Sequence, residues 1–175
     1  DLYSPTSNAL LGGSYKFPAD MSARVLVRGG DINNVYGGND ITGKVYGGNA
    51  IGIYTSIRGD VYGGGNGAYA YTNNVEELGS NEIYSDYYYS QDGFSSPIEA
   101  LNAYRPNAEQ VSIRLKGTEE KKTIIKGSVF LGGNCASVMS SKSSPKVELK
   151  MGSYVIADNV FLGNNGERMA DKDRS

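Results

Sequence analysis

The sequence predicts an all-β chain that folds as a parallel β-helix, or solenoid, with irregular coils and a tyrosine-rich insertion that carries a short helix. Three observations lead to this fold class. A pattern of valine, an aromatic residue and glycine recurs five times, apolar strand-like segments precede three of the copies, and glycine makes up 24 of the 175 residues. This glycine share is roughly twice the usual one, as expected of a chain with many tight corners.

The repeated pattern is defined by a valine anchor with fixed neighbours. Tyrosine or phenylalanine follows each valine, glycine stands three residues after it, and glycine, asparagine or aspartate stands two residues before it. The five anchors are Val35, Val45, Val61, Val129 and Val160. Agreement of several positions in five copies indicates a structural repeat, which glycine content alone would not produce.

The residue types in each copy predict a corner, a short strand and a second corner. Glycine, asparagine and aspartate before the valine tolerate positive φ, whereas valine followed by an aromatic residue favours a strand. Because such short strands cannot bury a face alone, we expect valine to stack on valine and tyrosine on tyrosine. The asparagines that end the copies are expected to form a hydrogen-bonded ladder at one corner: Asn39, Asn49, Asn66, Asn134 and Asn165.

Upstream segments predict a second strand for three of the copies. These segments are residues 25–28, 111–115 and 147–151. Alternation in the second segment places Val111, Ile113 and Leu115 on one face and Ser112 and Arg114 on the other. Two strands joined by glycine corners make roughly one coil of a solenoid.

Successive anchors are 10, 16, 68 and 31 residues apart, so the coils are irregular. The shortest interval indicates that the first two copies lie on successive sides of one coil or pair as a hairpin. The longest interval indicates that a large segment leaves the stack and returns. A sandwich of antiparallel strands is the alternative architecture.

These patterns divide the chain into five segments. They are an N-terminal segment or cap (1–23), solenoid repeats (24–67), an acidic tyrosine-rich insertion (68–110), further solenoid repeats (111–166) and a polar tail (167–175). Within the insertion, Ser96-Pro97-Ile98-Glu99 forms a capping box with proline at the first helical position. A short helix is predicted there, ending at Arg105-Pro106.

Composition excludes several classes of function. Histidine is absent and cysteine occurs once, so the chain has no Ser-His-Asp triad, internal disulfide or thiolate zinc cluster. No metal and no cofactor is expected. Residues 59–104 hold seven acidic residues and no lysine or arginine, which disfavours a nucleic-acid partner. No run of 18 apolar residues is present, so membrane insertion is not expected.

The insertion contains the most distinctive group of candidate ligand-binding residues. They are Tyr84, Asp86, Tyr87, Tyr88 and Tyr89. Tyrosine offers a flat apolar face for a sugar ring together with a polar hydroxyl, and carboxylates accept hydrogen bonds from sugar hydroxyls. The alternative is that these tyrosines pack the insertion against the repeats.

Other residues suggest weaker candidates. Asp31, Asp60, Lys44 and Arg58 stand near repeat corners, where acids and a base would have to converge in a polysaccharide-active enzyme. The acidic residues of the insertion lack a calcium-loop spacing and indicate a solvated surface. Cys135 is expected to be a small buried residue, because no histidine is present to activate it.

The Val-Tyr-Gly-Gly-Asn unit and its upstream strand resemble glycine-rich repeats of large adhesin-like surface proteins of gut Bacteroidetes. The similarity covers residues 24–66 and 111–166, and the insertion departs from it. The resemblance implies a parallel β-helix in an exported, surface-displayed protein.

We therefore expect a non-catalytic adhesion or binding module at a bacterial cell surface or outside the cell. Its expected partners are a glycan or an extracellular host protein, together with neighbouring solenoid repeats of the same chain. Two alternatives stay open: a structural scaffold coil without its own ligand, and a polysaccharide-active lyase or hydrolase.

Overall fold

The computed structural model describes residues 6–11, 22–40, 43–68, 70–72, 82–84, 105–138 and 146–166. These residues form strands, turns and bridges, and no helix occurs among them. In chain order the strands are β1 (Thr6–Leu11), β2 (Ala23–Val27), β3 (Asp31–Tyr36), β4 (Lys44–Val45), β5 (Asn49–Ile53), β6 (Val61–Tyr62), β7 (Ala70–Thr72), β8 (Glu82–Tyr84), β9 (Asn107–Ala108), β10 (Val111–Leu115), β11 (Thr123–Phe130), β12 (Ser137–Val138), β13 (Val147–Met151) and β14 (Val155–Phe161).

The strands form three main sheets in which every pair is parallel. Sheet 1 has the order β1-β3-β6-β11-β14, sheet 2 has β13-β10-β5-β2, and sheet 3 has β12-β9-β4. A separate parallel pair joins β7 to β8. The all-β class is therefore confirmed for the described part of the chain. The antiparallel sandwich is wrong there, because no antiparallel pair occurs among the described strands.

The chain visits the sheets in a repeating order. It passes through sheet 2, sheet 1 and sheet 3 as β2-β3-β4, then as β5-β6-β9, then as β10-β11-β12, and it adds β13-β14. We call these four sets layers 1 to 4. The first two repeat copies contribute β3 and β4, which lie in different sheets, so they do not pair as a hairpin.

The anchor valines of sheet 1 stack in register through the layers. Val35 pairs with Val61, Val61 with Val129, and Val129 with Val160. In sheet 2, Ile113 and Leu115 pair with the apolar residues of β5 and are fully buried. The predicted inward and outward faces of β10 are confirmed, because Arg114 is exposed between them.

The anchor of the second copy has different neighbours. Val45 is buried in sheet 3, where its partner is Ala108, and the following Tyr46 is exposed beside the ammonium of Lys44. The prediction that tyrosines stack is therefore wrong for Tyr46, because sheet 3 offers no aromatic partner at that position.

Corner glycines are required mainly by close approach between layers. Among the glycines two residues before an anchor, only Gly43 has a positive φ, so the predicted left-handed corner is wrong at Gly59 and Gly127. A Cβ at Gly59 would lie 2.7 Å from the carbonyl oxygen of Asn33, and one at Gly127 would lie 2.7 Å from the carbonyl carbon of Gly59. Any side chain there would push adjacent layers apart.

The strand β5, which is central in sheet 2, was not predicted, because its Asn-Ala-Ile-Gly-Ile sequence begins with the asparagine that ends the second repeat copy and contains an internal glycine. The predicted helix that starts at Ser96 lies outside the described residues.

Candidate functional site

The sequence-predicted binding residues lie at the margin of the described structure. Tyr84 ends β8, and its backbone pairs with Thr72 of β7. Asp86, Tyr87, Tyr88 and Tyr89 lie outside the described residues. The structure therefore does not test whether these five residues come together.

Both ends of the tyrosine-rich insertion are attached to the same corner of the repeats. At the first end, the Gly67 amide donates to the Asn134 carbonyl at 2.7 Å. At the second end, the Ser137 amide donates to the Pro106 carbonyl at 3.0 Å. A Cβ at Gly67 would lie only 3.2 Å from Pro106 Cδ, so the insertion leaves and rejoins the sheets at almost the same point.

A ladder of amide side chains runs along this corner. The Asn66 amide donates to the Asp40 carboxylate at 2.9 Å, the Asn134 amide donates to Asn66 at 2.9 Å, and the Asn165 amide donates to Asn134 at 3.0 Å. The predicted ladder is thus confirmed for Asn66, Asn134 and Asn165. In layer 1 the side chain that accepts from Asn66 is that of Asp40, one residue after the predicted Asn39.

Asn49 does not belong to this ladder. It begins β5 in sheet 2, where its side-chain amide donates to the Gly63 carbonyl at 2.8 Å. The prediction fails for Asn49 because the second repeat copy lies in sheet 3, so its end reaches a different corner.

A stack of four aromatic rings lies beside the ladder. The ring centroids of Tyr36, Tyr62, Phe130 and Phe161 follow one another at 4.8, 5.0 and 4.9 Å, and neighbouring rings are nearly parallel. The Tyr62 hydroxyl donates to the Asp60 carboxylate at 3.0 Å. Burial, and then the charge of Asp60, raise the pKa of Tyr36 to about 12. The same two causes raise the pKa of Tyr62 as well.

Of the four residues considered for catalysis, Asp31 and Arg58 form an ion pair, whereas Lys44 and Asp60 bond to other partners. Arg58 pairs with Asp31 at 2.8 Å, whereas Lys44 pairs at 3.1 Å with the buried Glu109, which directly follows β9. Asp60 accepts hydrogen bonds from Tyr62 and from the Ser128 amide, at 2.7 Å for the amide. Each of these groups is therefore engaged with a neighbouring part of the fold.

The last layer exposes apolar side chains at the open edges of sheets 1 and 2. Among the described strands, β14 and β13 each have a partner on one side only. The exposed apolar residues of this end are Val147, Met151, Tyr154, Ile156, Val160, Phe161 and Leu162. The equivalent valines of earlier layers are fully buried, so this surface has the composition of an uncovered core.

Sequence reasoning did not identify a groove on the outer face of sheet 2, which contains Arg24, Tyr54 and Arg114. Alternation had placed Arg114 and Ser112 outward. The unpredicted strand β5 separates them from Arg24, so their proximity was not visible in the sequence.

The described residues contain no group of three or more metal-ligating side chains, and none of them belongs to a helix that could span a bilayer. The single cysteine, Cys135, is buried as predicted.

Comparisons of the chain with protein-family models, with curated proteins and with solved structures found no match. The resemblance to adhesin-like repeat proteins therefore stays a prediction.

Proposed function

We propose that this protein is a non-catalytic, surface-displayed binding module in which a parallel β-helix carries the tyrosine-rich insertion. The β-helical arrangement is supported by the repeated passage of the chain through sheets 2, 1 and 3 with parallel, in-register pairing. Such an arrangement turns short strands into a long, stiff support.

The observation that carries the proposal is the common attachment point of the two ends of the insertion. The hydrogen bonds of Gly67 and Pro106 fix those ends at the corner where the amide ladder joins the layers. Segments that are held at both ends by a rigid scaffold are where proteins commonly place binding residues. The proposed binding residues are those named from the sequence: Tyr84, Asp86, Tyr87, Tyr88 and Tyr89.

The residues of the repeat itself have structural roles, which supports a non-catalytic module. Valines fill the core, glycines permit close approach, aromatic rings stack and asparagines bond to one another. Export to the cell surface, and a glycan or extracellular host protein as partner, are parts of the same proposal.

The test is an array of glycans and extracellular-matrix proteins, probed with the wild type and with a Tyr87→Ala/Tyr88→Ala/Tyr89→Ala variant. Circular dichroism and thermal unfolding of both proteins verify that the variant is folded. We expect the wild type to bind and the variant to lose binding. A folded wild type that binds nothing would contradict the binding module and leave the scaffold alternative.

A second function, as one coil of a longer scaffold, is favoured by the exposed apolar end of layer 4. We propose that a neighbouring solenoid repeat covers this surface. A sharp test appends a second copy of residues 136–166 directly after Gly166, because Gly166 corresponds to Cys135 in the 31-residue spacing of the last two anchors. The appended chain supplies one more strand for each sheet.

We expect the extended chain to unfold at a higher temperature and its β14 amides to exchange more slowly. In the control, the appended copies of Val160 and Phe161 are changed to serine, which removes the apolar contact at equal length. An identical unfolding temperature for both extended chains would contradict the covering coil.

A further inference from the structure

The outer face of sheet 2 is strongly basic although the whole chain carries a net charge of −2. Outward-facing or adjoining cations lie on or next to three of its four strands. They are Arg24, Arg28, Arg114, Lys116, Lys146 and Lys150. The acidic residue on this face is Glu148 of β13, which pairs with Lys146 at 3.1 Å and with Lys150 at 3.5 Å.

Small residues create a groove in the middle of this face. Ala50 and Gly52 of β5 occupy the positions between β2 and β10, and the groove above them has a volume of about 300 Å³. The side chains of Leu26 and Tyr54 lean toward the gap at Gly52, where an added Cβ would lie 2.8 Å from Leu26 Cδ1 and 3.1 Å from the Tyr54 ring. The floor is therefore apolar and partly aromatic.

Two arginines stand at diagonally opposite corners of the groove. Arg24 is in register with Ala50, whereas Arg114 is in register with Gly52 on the other side of β5. Two strand spacings separate them across the sheet, which corresponds to about 10 Å. Within the described residues neither guanidinium pairs with a carboxylate, so both have their donors available for a ligand.

The remaining polar groups of the groove define its charge further. Ser112 donates a hydrogen bond to Glu148 at 2.9 Å, and this bond, together with Lys146, lowers the pKa of Glu148. Glu148 is therefore anionic at neutral pH but balanced by two lysines. Arg28 lies 5.7 Å from the centre of the Tyr54 ring, so a third guanidinium adjoins the same end.

These features together point to one ligand class. Two separated guanidiniums match two carboxylates of a chain-like anion, since arginine recognises carboxylates through paired donors. The apolar floor between them and the Tyr54 ring at one end of the groove suit a sugar ring. We propose that the groove of sheet 2 is a binding site for an acidic oligosaccharide that carries uronate carboxylates.

Two other classes of polyanion, acidic peptides and nucleic acids, are less suitable ligands for this groove. Both edges of β5 are paired, with β2 and with β10, so an acidic peptide has no free strand edge to extend at this site. Residues 59–104 carry seven acids and no base, so the charge of the chain as a whole does not favour a long nucleic acid. The proposed site does not depend on the tyrosine-rich insertion.

The test measures binding of a galacturonic-acid hexamer to the whole chain by calorimetry at low ionic strength. The matched ligand is the same hexamer with its carboxyls methyl-esterified, which keeps the sugar and removes the charge. The matched proteins are Arg24→Gln/Arg114→Gln in the groove and Lys121→Gln/Lys126→Gln, which removes the same charge from exposed positions outside it. An Ala50→Leu variant fills the groove without changing its charge.

We expect the hexamer to bind the wild type and the lysine variant alike, and the arginine variant about tenfold or more weakly. The esterified hexamer should not bind, and Ala50→Leu should weaken binding of the charged one. Equal losses in the arginine and lysine variants would overturn the site in favour of general attraction. Tighter binding of an oligothymidylate or of polyglutamate at equal charge would overturn the ligand class.

The Tyr87→Ala/Tyr88→Ala/Tyr89→Ala variant separates this site from the insertion. We expect it to bind the hexamer as the wild type does. A loss of hexamer binding in that variant, with the arginine variant unaffected, would transfer the site to the insertion and overturn the assignment to the groove.

Discussion

Layers 2 and 4 carry the same repeat motif, but their side chains differ sharply in exposure. Val61 in layer 2 is 0% exposed, whereas its counterpart Val160 in layer 4 is 41% exposed. The aromatic residue after the valine follows the same trend, since Tyr62 is buried and Phe161 is exposed. Among the described strands, layer 2 has neighbouring layers on both sides, whereas layer 4 has a neighbour on one side only and has no strand in sheet 3.

This comparison separates two roles of the repeat. The motif determines which residues stack on which, and this register persists to the last layer. Burial, in contrast, is supplied by the next layer, as expected for repeats that contact only their neighbours. Identical substitutions in the two layers should therefore have very different costs.

The largest expected contrast concerns equivalent glycines at the corner after the strand. A Cβ at Gly64 would lie 2.8 Å from Gly133 Cα in the next layer, whereas a Cβ at Gly163 would meet nothing within 4 Å. We expect Gly64→Ala to lower the free energy of unfolding by about 3 kcal/mol, because the two backbones must move apart. Gly163→Ala should change it by less than about 0.5 kcal/mol.

Urea unfolding followed by circular dichroism measures both values. Equal costs at Gly64 and Gly163 would contradict the close approach of layers 2 and 3. A costly Gly163→Ala in the chain extended by residues 136–166, together with a harmless one in the original chain, would sharpen the comparison by showing that the added layer covers this corner.

The anchor valines should give the next largest contrast. Val61→Ala removes two methyl groups from a fully buried position between Val35 and Val129, and we expect a loss of about 2 kcal/mol. Val160→Ala removes the same groups from a surface that is partly in water, so its cost should be well below 1 kcal/mol. The same unfolding experiment compares them, and similar losses would mean that layer 4 is covered in solution.

The sequence was sufficient to predict this stack because its repeat encodes local contacts. Valine, the aromatic residue and glycine occupy fixed positions, so the pairing of Val35, Val61, Val129 and Val160 agrees with their alignment. The same alignment did not show that Val45 lies in sheet 3. The exposure of Val160 did not follow, because the pattern is the same whether or not another layer is present. The burial of side chains in the last layer depends on whether a further layer covers them.

The groove illustrates the opposite case. Its two arginines lie 90 positions apart in the sequence, on either side of a strand that carries a weak signal. Alternation correctly placed Arg114 outward, but only the pairing of β5 with both neighbours brings Arg24 near it. The binding residues predicted from composition, such as Tyr87, lie outside the described residues, so that hypothesis still depends on the array experiment.

A smaller contrast is expected along the amide ladder. Asn134 bonds to Asn66 on one side and to Asn165 on the other, whereas Asn165 ends the described ladder. We expect Asn134→Ala to cost about 1.5 kcal/mol, because it leaves one acceptor and one donor without their partners in a buried setting. Asn165→Ala should cost roughly half as much. Hydrogen exchange of the Gly67 amide, which donates to the Asn134 carbonyl, reports whether the corner loosens in either variant.

The last contrast distinguishes the tyrosine layers from the phenylalanine layers and depends on pH. Tyr62→Phe loses the hydrogen bond to Asp60 and should cost about 1 kcal/mol at pH 7. The pKa of Tyr36 is raised from 10.0 to about 12, and that of Tyr62 is raised in the same direction. The folded protein therefore holds these protons more tightly than the unfolded chain, so their contribution to stability is complete below pH 10 and declines as the pH rises toward 12.

Unfolding measured across this alkaline range should show a shallower decline for Tyr62→Phe than for the wild type, so that the cost of the substitution shrinks as the pH rises. The control is Tyr154→Phe, which removes a hydroxyl from an exposed ring in layer 4. Ultraviolet absorbance of tyrosinate, followed in the same samples, tests whether ionisation accompanies unfolding. Parallel declines in the free energy of unfolding of Tyr62→Phe and the wild type would contradict the buried environment beside Asp60 that raises these pKa values. The contrast between inner and outer layers would then rest on packing alone.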